Sequence, residues 1–372
     1  MLFDYRLKNY NFRIIIYMLI LSCIGIAAIW SATNQNRAMV MKQIFGIMVG
    51  LTIAVVLSLI NYHRLLSLSF IIYLVCVISL VAVLLFGKSK GIAVRWITLP
   101  VIGQIQPSEF VKIGLILFFS WYFDKYQEKI NQASILAIAL VLFSVPVALI
   151  LKQPNLSTSL VIVVIIASIV FTAGISYKWI FGTLAVMMPL AGLFIYLLQY
   201  EMIPFLKGYQ ARRILAWIDP KKYAEAYYQQ ENSIMAIGSG MLTGKGVNNT
   251  SIASVKNGNF LSEEQTDFIF AIIGEELGFI GAVVVIALFL LLVYECLLMA
   301  GRAKDMAGRL ICTGMATLIA FQGFANIAVA TGIFPNTGLP LPFVSYGVSS
   351  LLSIFIGMGF VLNVGLQRKI SN

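Results

Sequence analysis

Residues Asn259–Gly281 read NFLSEEQTDFIFAIIGEELGFIG. Here the longest polar segment of the chain runs back into an apolar tract that continues to about residue 299, long enough to cross a bilayer as a helix. Three carboxylates, Asp267, Glu275 and Glu276, lie in or at the mouth of that helix. A carboxylate near hydrocarbon costs on the order of 3 kcal/mol or more, so it usually has a partner or a task. If Thr266 caps a helix that Asp267 begins, then Ala271, Gly274, Gly278 and Gly281 fall within about 40° of Asp267's direction. Asp267 then heads a small-residue stripe on which another helix packs closely. Glu275 lies about 80° round and roughly 12 Å deeper, as a helix-pairing partner, and Glu276 faces away as a structural group. Two readings of Asp267 follow: a capping carboxylate in the field of a helix N-terminus, or a general base at the membrane surface.

The rest of the chain agrees with a membrane setting. Of 372 residues, 60% are hydrophobic and 11% charged, against about 25% charged in soluble domains. No polar block is long enough for a separate core, so residues 1–372 form a single membrane domain. The net charge of +11 comes from Lys and Arg in loops between apolar segments, where topology and anionic lipid account for it. No basic-aromatic module suggests nucleic acid. Cys23, Cys76, Cys296 and Cys312 all sit in apolar segments without CxxC spacing and read as packing residues. His63 is the sole histidine, which argues against bis-His metal sites and a Ser-His-Asp triad. Acid-base chemistry must come from carboxylates, Lys or Tyr.

After Arg6, Lys8 and Arg13 comes an apolar run to Trp30, read as an uncleaved signal-anchor helix. Further apolar segments span 41–60, 65–86, 108–123, 133–151, 159–175, 179–200, 267–299, 309–332 and 346–366. The expected fold is an all-α integral membrane protein of about ten transmembrane helices. With the N-terminus inside, the inner loops and tails hold Arg6, Lys8, Arg13, Arg64, Lys125, Lys129, Lys178, Arg302, Lys304, Arg309, Arg368 and Lys369. These outnumber Arg37, Lys42, Lys88, Lys90, Arg95 and Lys152 in the short outer loops, placing both termini in the cytoplasm. The long loop 201–266, between helices seven and eight, then lies outside, and so do most of the unusual residues.

Gln106-Pro-Ser-Glu-Phe-Val-Lys112 starts a helix at Pro107 with Glu109 in its first turn and Lys112 on the same face. It reads either as an internal Glu–Lys pair or as an anion site of helix N-terminus, Lys112 and Arg95, suited to a pyrophosphate. Lys152–Thr158 reads as a turn with a cap at Asn155, Ser157 or Thr158. Aromatic and basic residues over 206–228, including Arg212 and Arg213, suit short helices at the bilayer surface. Ala236–Gly246 is glycine-dense, as a mobile substrate-closing loop or a plain connector would be. Its GMLTGKG string fails the phosphate-loop spacing. Asn326–Ser350, with Pro335, Pro340 and Pro342, cannot be one helix, and irregular backbone at membrane depth must be buried in protein or line a cavity.

Taken together, these strings resemble the RodA/FtsW/SpoVE family of peptidoglycan polymerases over nearly the whole chain. The matching residues are Arg95-Trp-Ile97, Gln106-Pro-Ser-Glu109 with Lys112, Ala236-Ile-Gly-Ser-Gly240, Gly244-Lys-Gly246, Phe260-Leu261, Thr266–Phe270, Gly274-Glu-Glu276, Gly338, Pro340–Phe343 and Ser345-Tyr-Gly347. The resemblance implies a glycosyltransferase polymerising lipid II, a polyprenyl-pyrophosphate-linked disaccharide-peptide, for cell elongation and shape. It implies Asp267 as the essential acid, with Arg95, Gln106, Glu109, Lys112, Lys245 and Ser345 binding substrate. It further implies a bacterial cytoplasmic-membrane location and a class B penicillin-binding protein as transpeptidase partner. No cofactor or protein metal ligand is implied with certainty, and a divalent cation is left open. A lipid II flippase, or a weakly active scaffold for a penicillin-binding protein, are the other readings. The chain departs from the family pattern at Asn155, Met241, Ser262 and Val348.

Overall fold

The computed structural model describes residues 10–90, 93–99, 103–200, 209–248 and 264–367. Readings placed on Arg6, Lys8, Phe260, Leu261, Ser262, Arg368 and Lys369 lie outside the described residues. The elements are α1 (Phe12–Ala32), α2 (Arg37–Leu59), α3 (Tyr62–Leu66), α4 (Ser69–Phe86), α5 (Pro107–Lys125), α6 (Ala133–Lys152), α7 (Leu156–Thr172), α8 (Tyr177–Gln199), α9 (Tyr209–Ile218), α10 (Ala224–Ser239), α11 (Ile269–Arg302), α12 (Met306–Ala330) and α13 (Val348–Leu366). Among the described residues, 8 helices are long and apolar enough to cross a membrane. The chain is thus an all-α, multi-pass membrane protein, as its composition requires.

Burial sorts these helices into layers. α5, α12 and α13 are buried almost all round, α5 despite its Glu109 and Lys112. By contrast α4, α6 and α8 turn apolar side chains such as Phe70, Ile78, Leu140, Val141, Phe181 and Met188 outward, the pattern of lipid-facing helices. The tight link expected at Asn61–Arg64 is the short helix α3, whose first turn is capped by the Asn61 side chain. At the same end of the bundle, Asp305 caps α12 through Gly308 N and accepts from the Tyr62 hydroxyl at 2.7 Å. His63 Nε2 lies 2.6 Å from the same carboxylate, so the sole histidine ties two helix links together.

Composition gave no hint of a small antiparallel sheet ahead of α5. Its strands β1 (Lys88–Lys90), β2 (Ala93–Leu99) and β3 (Gly103–Ile105) run in the order β1-β2-β3, with Ile97 opposite Ile105. β2 fixes Arg95 in place beside the turn between α6 and α7.

Two expectations for the opening stretch change. First, residues 264–268 form a turn and α11 starts at Ile269, with Phe268 at the N-cap and no side-chain cap, so Thr266 does not cap a helix begun by Asp267. Second, α11 is broken at Gly278, whose φ of 64° and ψ of −163° are not helical. The small-residue stripe ends there, because the 100° count does not continue through a break.

The segment after α10 closes that break. Lys245 N and Gly246 N donate to the Glu275 and Glu276 carbonyls at 3.0 Å each, while Phe279 N and Ile280 N donate to the Met241 and Leu242 carbonyls at 2.9 and 3.2 Å. Four of the groups freed by the broken helix are thus claimed, as backbone at membrane depth requires. Gly240–Gly246 is therefore a fixed cap rather than a free closing loop. Met241 adopts a φ of 50° in it, the left-handed region that favours glycine. Glu276 is structural as expected, accepting from Ser31 of α1 and from Asn248 N, whereas Glu275 pairs not with a neighbouring helix but with Lys245 Nζ of the capping segment, at 2.8 Å.

Candidate active site

The non-helical run before α13 and the turn before α11 are stitched together by buried polar side chains. Ser345 Oγ donates to the Thr266 carbonyl at 2.6 Å and accepts from Leu341 N at 2.8 Å. Tyr346 N donates to the Gln265 carbonyl at 2.8 Å, and Gln43 Nε2 to the Ser345 carbonyl at 3.1 Å. From α12, Gln322 donates to the Pro340 carbonyl (2.9 Å), and Asn326 donates to both the Leu339 and Asp267 carbonyls (2.7 and 2.8 Å). Residues Leu341–Ser345 are buried. Irregular backbone here is thus enclosed in protein and shapes one wall of a site. Phe343 holds a φ of 63° within it, packed edge-on against Phe355 at 5.3 Å.

Asp267 has its own backbone pinned by Asn326, and its carboxyl group reaches Gly338. A Cβ built on Gly338 would lie 3.0 Å from Asp267 Oδ2 and 3.4 Å from Arg213 Nη1. Gly338 also has a φ of +68°. Glycine is needed here twice, for space and for backbone. Arg213 projects from α9, whose Ala211, Leu215 and Ala216 are buried, and donates to the Asn336 carbonyl at 3.3 Å. Burial pushes its guanidinium down to about 10; Asp267 opposes that shift and Arg95 adds to it. Arg213 stays cationic at neutral pH. Arg95 donates to the Gln153 carbonyl at 3.3 Å and to the Pro154 carbonyl; burial lowers it, and Asp267 again opposes. A half-buried carboxylate flanked by two guanidinium groups can accept a proton while the cations neutralise an anionic leaving group.

The remaining expected residues surround this centre rather than join it. Lys112 is fully buried, and its Nζ is bonded to Glu109 (2.9 and 3.0 Å) and to Gln322 Oε1 (3.0 Å). Lys112 therefore acts on the site wall through Gln322. Gln106 N donates to Ser349 Oγ at 3.2 Å, and its side chain to Ser108 Oγ at 3.2 Å, joining the starts of α5 and α13. Lys245 sits at the break of α11, a stretch of about 13 Å along the helix from its start. Asn155 keeps the α7 cap, accepting from Thr158 N at 3.3 Å, as an aspartate would. Val348 begins α13 facing Gly46 of α2, where an added Cβ would lie 3.7 Å from it, and Gly347 before it is extended, so a side chain at 348 blocks no turn.

Arg213, Gln322 and Asn326 were not singled out as site residues from sequence. Gln322 and Asn326 did carry a signal: two amides four residues apart, on one face of an otherwise apolar helix. As for metals, no group of three or more His, Cys, Asp or Glu among the described residues could hold an ion. Asp267 is flanked by cations, so the described donor set does not fit a protein-held divalent cation.

A polytopic membrane protein with a carboxylate–guanidinium centre under a proline-rich wall is the class these features define. The chain belongs to the FtsW/RodA/SpoVE family of cell cycle proteins, whose pattern matches residues 9–370, and its class of activity is glycosyl transfer. It is 35% identical to the peptidoglycan glycosyltransferase MrdB of Escherichia coli K12, over 92% of this chain and 89% of that one. It is 34% identical to a probable peptidoglycan glycosyltransferase FtsW of Trichlorobacter lovleyi, over 99% and 96%. Among solved structures it is similar to the rod shape determining protein RodA of Thermus thermophilus, with 26% identity, a TM-score of 0.70 and coverage of 97% and 98%. It is also similar to a chain of a peptidoglycan synthase complex described as coordinating polymerization and crosslinking, with 28% identity, a TM-score of 0.76 and coverage of 96% and 98%.

Proposed function

We propose that this protein polymerises lipid II into glycan strands at the outer face of the bacterial cytoplasmic membrane, with Asp267 as general base. Asp267 takes the proton from the GlcNAc 4-hydroxyl of the incoming lipid II. That oxygen forms the new glycosidic bond at the anomeric carbon of the growing chain, and the bond from that carbon to pyrophosphate breaks with inversion. The polyprenyl pyrophosphate leaves with its electron pair, stabilised by Arg95 and Arg213. Glu109, Lys112, Gln106 and Ser345 position the wall around the reacting groups, and Lys245 braces the break in the helix that Asp267 precedes. The observation that carries this reading is the placement of Asp267 and Arg213 around Gly338, with Arg95 acting electrostatically on both.

A class B penicillin-binding protein is the proposed transpeptidase partner, in keeping with the synthase complex that this chain resembles. Elongation rather than division is favoured by the Gly244-Lys-Gly246 and Thr266–Phe270 strings. The test is purified protein, with its partner, incubated with lipid II. Glycan chains support the reading; movement of lipid II across vesicles without polymer would replace it with a flippase.

A further inference from the structure

The buried polar atoms beside the charged centre without a hydrogen-bond partner among the described residues include Asn155 Nδ2, Asn336 Oδ1 and Thr337 Oγ1. Asn155 and Asn336 are 3% and 9% exposed. The Asn155 amide is oriented by its own cap, since its Oδ1 accepts from Thr158 N. That leaves Nδ2 as the donor without a partner. The backbone around all three is already committed. Arg213 donates to the Asn336 carbonyl, Ser157 to the Thr337 carbonyl, and Arg95 to the carbonyls of Gln153 and Pro154, immediately before Asn155. The Ser157–Thr337 bond thus joins the start of α7 to residues 336–338, with one arginine held by the segment on each side of that junction. A buried polar atom left unsatisfied costs about 1–3 kcal/mol. Several of them bordering one centre mark a place where another molecule supplies the partners.

We infer that Asn155, Asn336 and Thr337 form a neutral polar subsite that binds the hydroxyl and amide groups of the substrate's sugars, leaving the pyrophosphate to Arg95 and Arg213. The inference rests on the lipid-linked-sugar reading above. The donor and acceptor types decide between the two parts of such a substrate. A phosphate only accepts, and would meet an unfavourable acceptor in Asn336 Oδ1. A sugar hydroxyl or an acetamido group donates and accepts at once, which matches one amide donor, one amide acceptor and one hydroxyl. The three residues also carry no charge, so they add selectivity for sugar without competing for the phosphates.

The test uses the full-length chain and two probes: polyprenyl pyrophosphate without sugar, and polyprenyl pyrophosphate bearing the disaccharide-peptide. Asn155→Ser keeps a capping oxygen and withdraws the amide donor. Thr337→Val removes the hydroxyl and keeps the shape and the backbone carbonyl that Ser157 uses. Each variant should weaken binding of the sugar-bearing lipid about tenfold and leave the sugar-free lipid unchanged. Unchanged binding of the sugar-free lipid also reports that the variant is folded. Equal weakening toward both probes, or unchanged affinity for both, overturns the subsite. Wild-type protein that binds neither probe removes the reading beneath the subsite together with the subsite itself.

Discussion

Gly338 stands against Asp267 so closely that a Cβ on it would lie 3.0 Å from the Asp267 Oδ2. The same position has a φ of +68°, where a side chain is strained by about 1 kcal/mol or more. Gly338→Ala should therefore cut polymerisation by roughly a hundredfold, through displacement of the carboxylate from its working geometry. Its thermal stability should fall only modestly. Glycan synthesis from lipid II, beside a melting curve in detergent, checks both.

Arg213 should matter as a fork and not only as a charge. Its guanidinium serves the Asn336 carbonyl and lies beside the carboxyl group of Asp267 at once. Arg213→Lys keeps the charge and loses the planar fork. It should lower kcat by about tenfold to a hundredfold, and Arg213→Gln by more. Variants as active as the wild type would remove Arg213 from the site.

The Glu109–Lys112 pair is fully buried, so removing one partner strands the other. Lys112→Met alone should destabilise the protein by about 3–5 kcal/mol. The double change Glu109→Gln with Lys112→Met should recover most of that loss. If Lys112 instead binds substrate phosphate directly, the double variant will stay as inactive as the single one. A double-mutant cycle read by both denaturation and polymer yield separates the two roles.

Met241 occupies a left-handed position, with a φ of 50°, in the segment that caps the break of α11. Met241→Gly relieves that strain and should raise stability by about 1 kcal/mol. An unchanged or lower melting temperature would contradict the assignment of strain there.

The membrane class, the helix positions and the irregular backbone of the proline-rich run were legible in the sequence, because hydropathy and proline spacing report them directly. The break in α11 was not. Gly278 sits in a tract whose hydropathy reads as one helix to about residue 299, and the residues that cap its break, Met241–Gly246, are far away in sequence. Asp267 was legible as a carboxylate at a helix mouth, yet the residues that give it a setting were not. Arg213 resembled the other basic residues of a surface helix. Asn336 and Thr337 resembled ordinary turn residues. Lys112 shows a choice that sequence could not make: it read as a partner of Glu109 or as an anion site, and the fold pairs it with Glu109 and Gln322.

The central claim is that Asp267 removes the proton from the attacking hydroxyl. The most direct measurement is the rate of glycan formation from lipid II by Asp267→Asn, alongside its affinity for lipid II. The substitution keeps the shape, and the Asn326 bond to the backbone carbonyl is untouched. The account predicts near-normal lipid II binding with a rate reduced by about a hundredfold to ten-thousandfold. Glycan chains made at the wild-type rate by Asp267→Asn would contradict it.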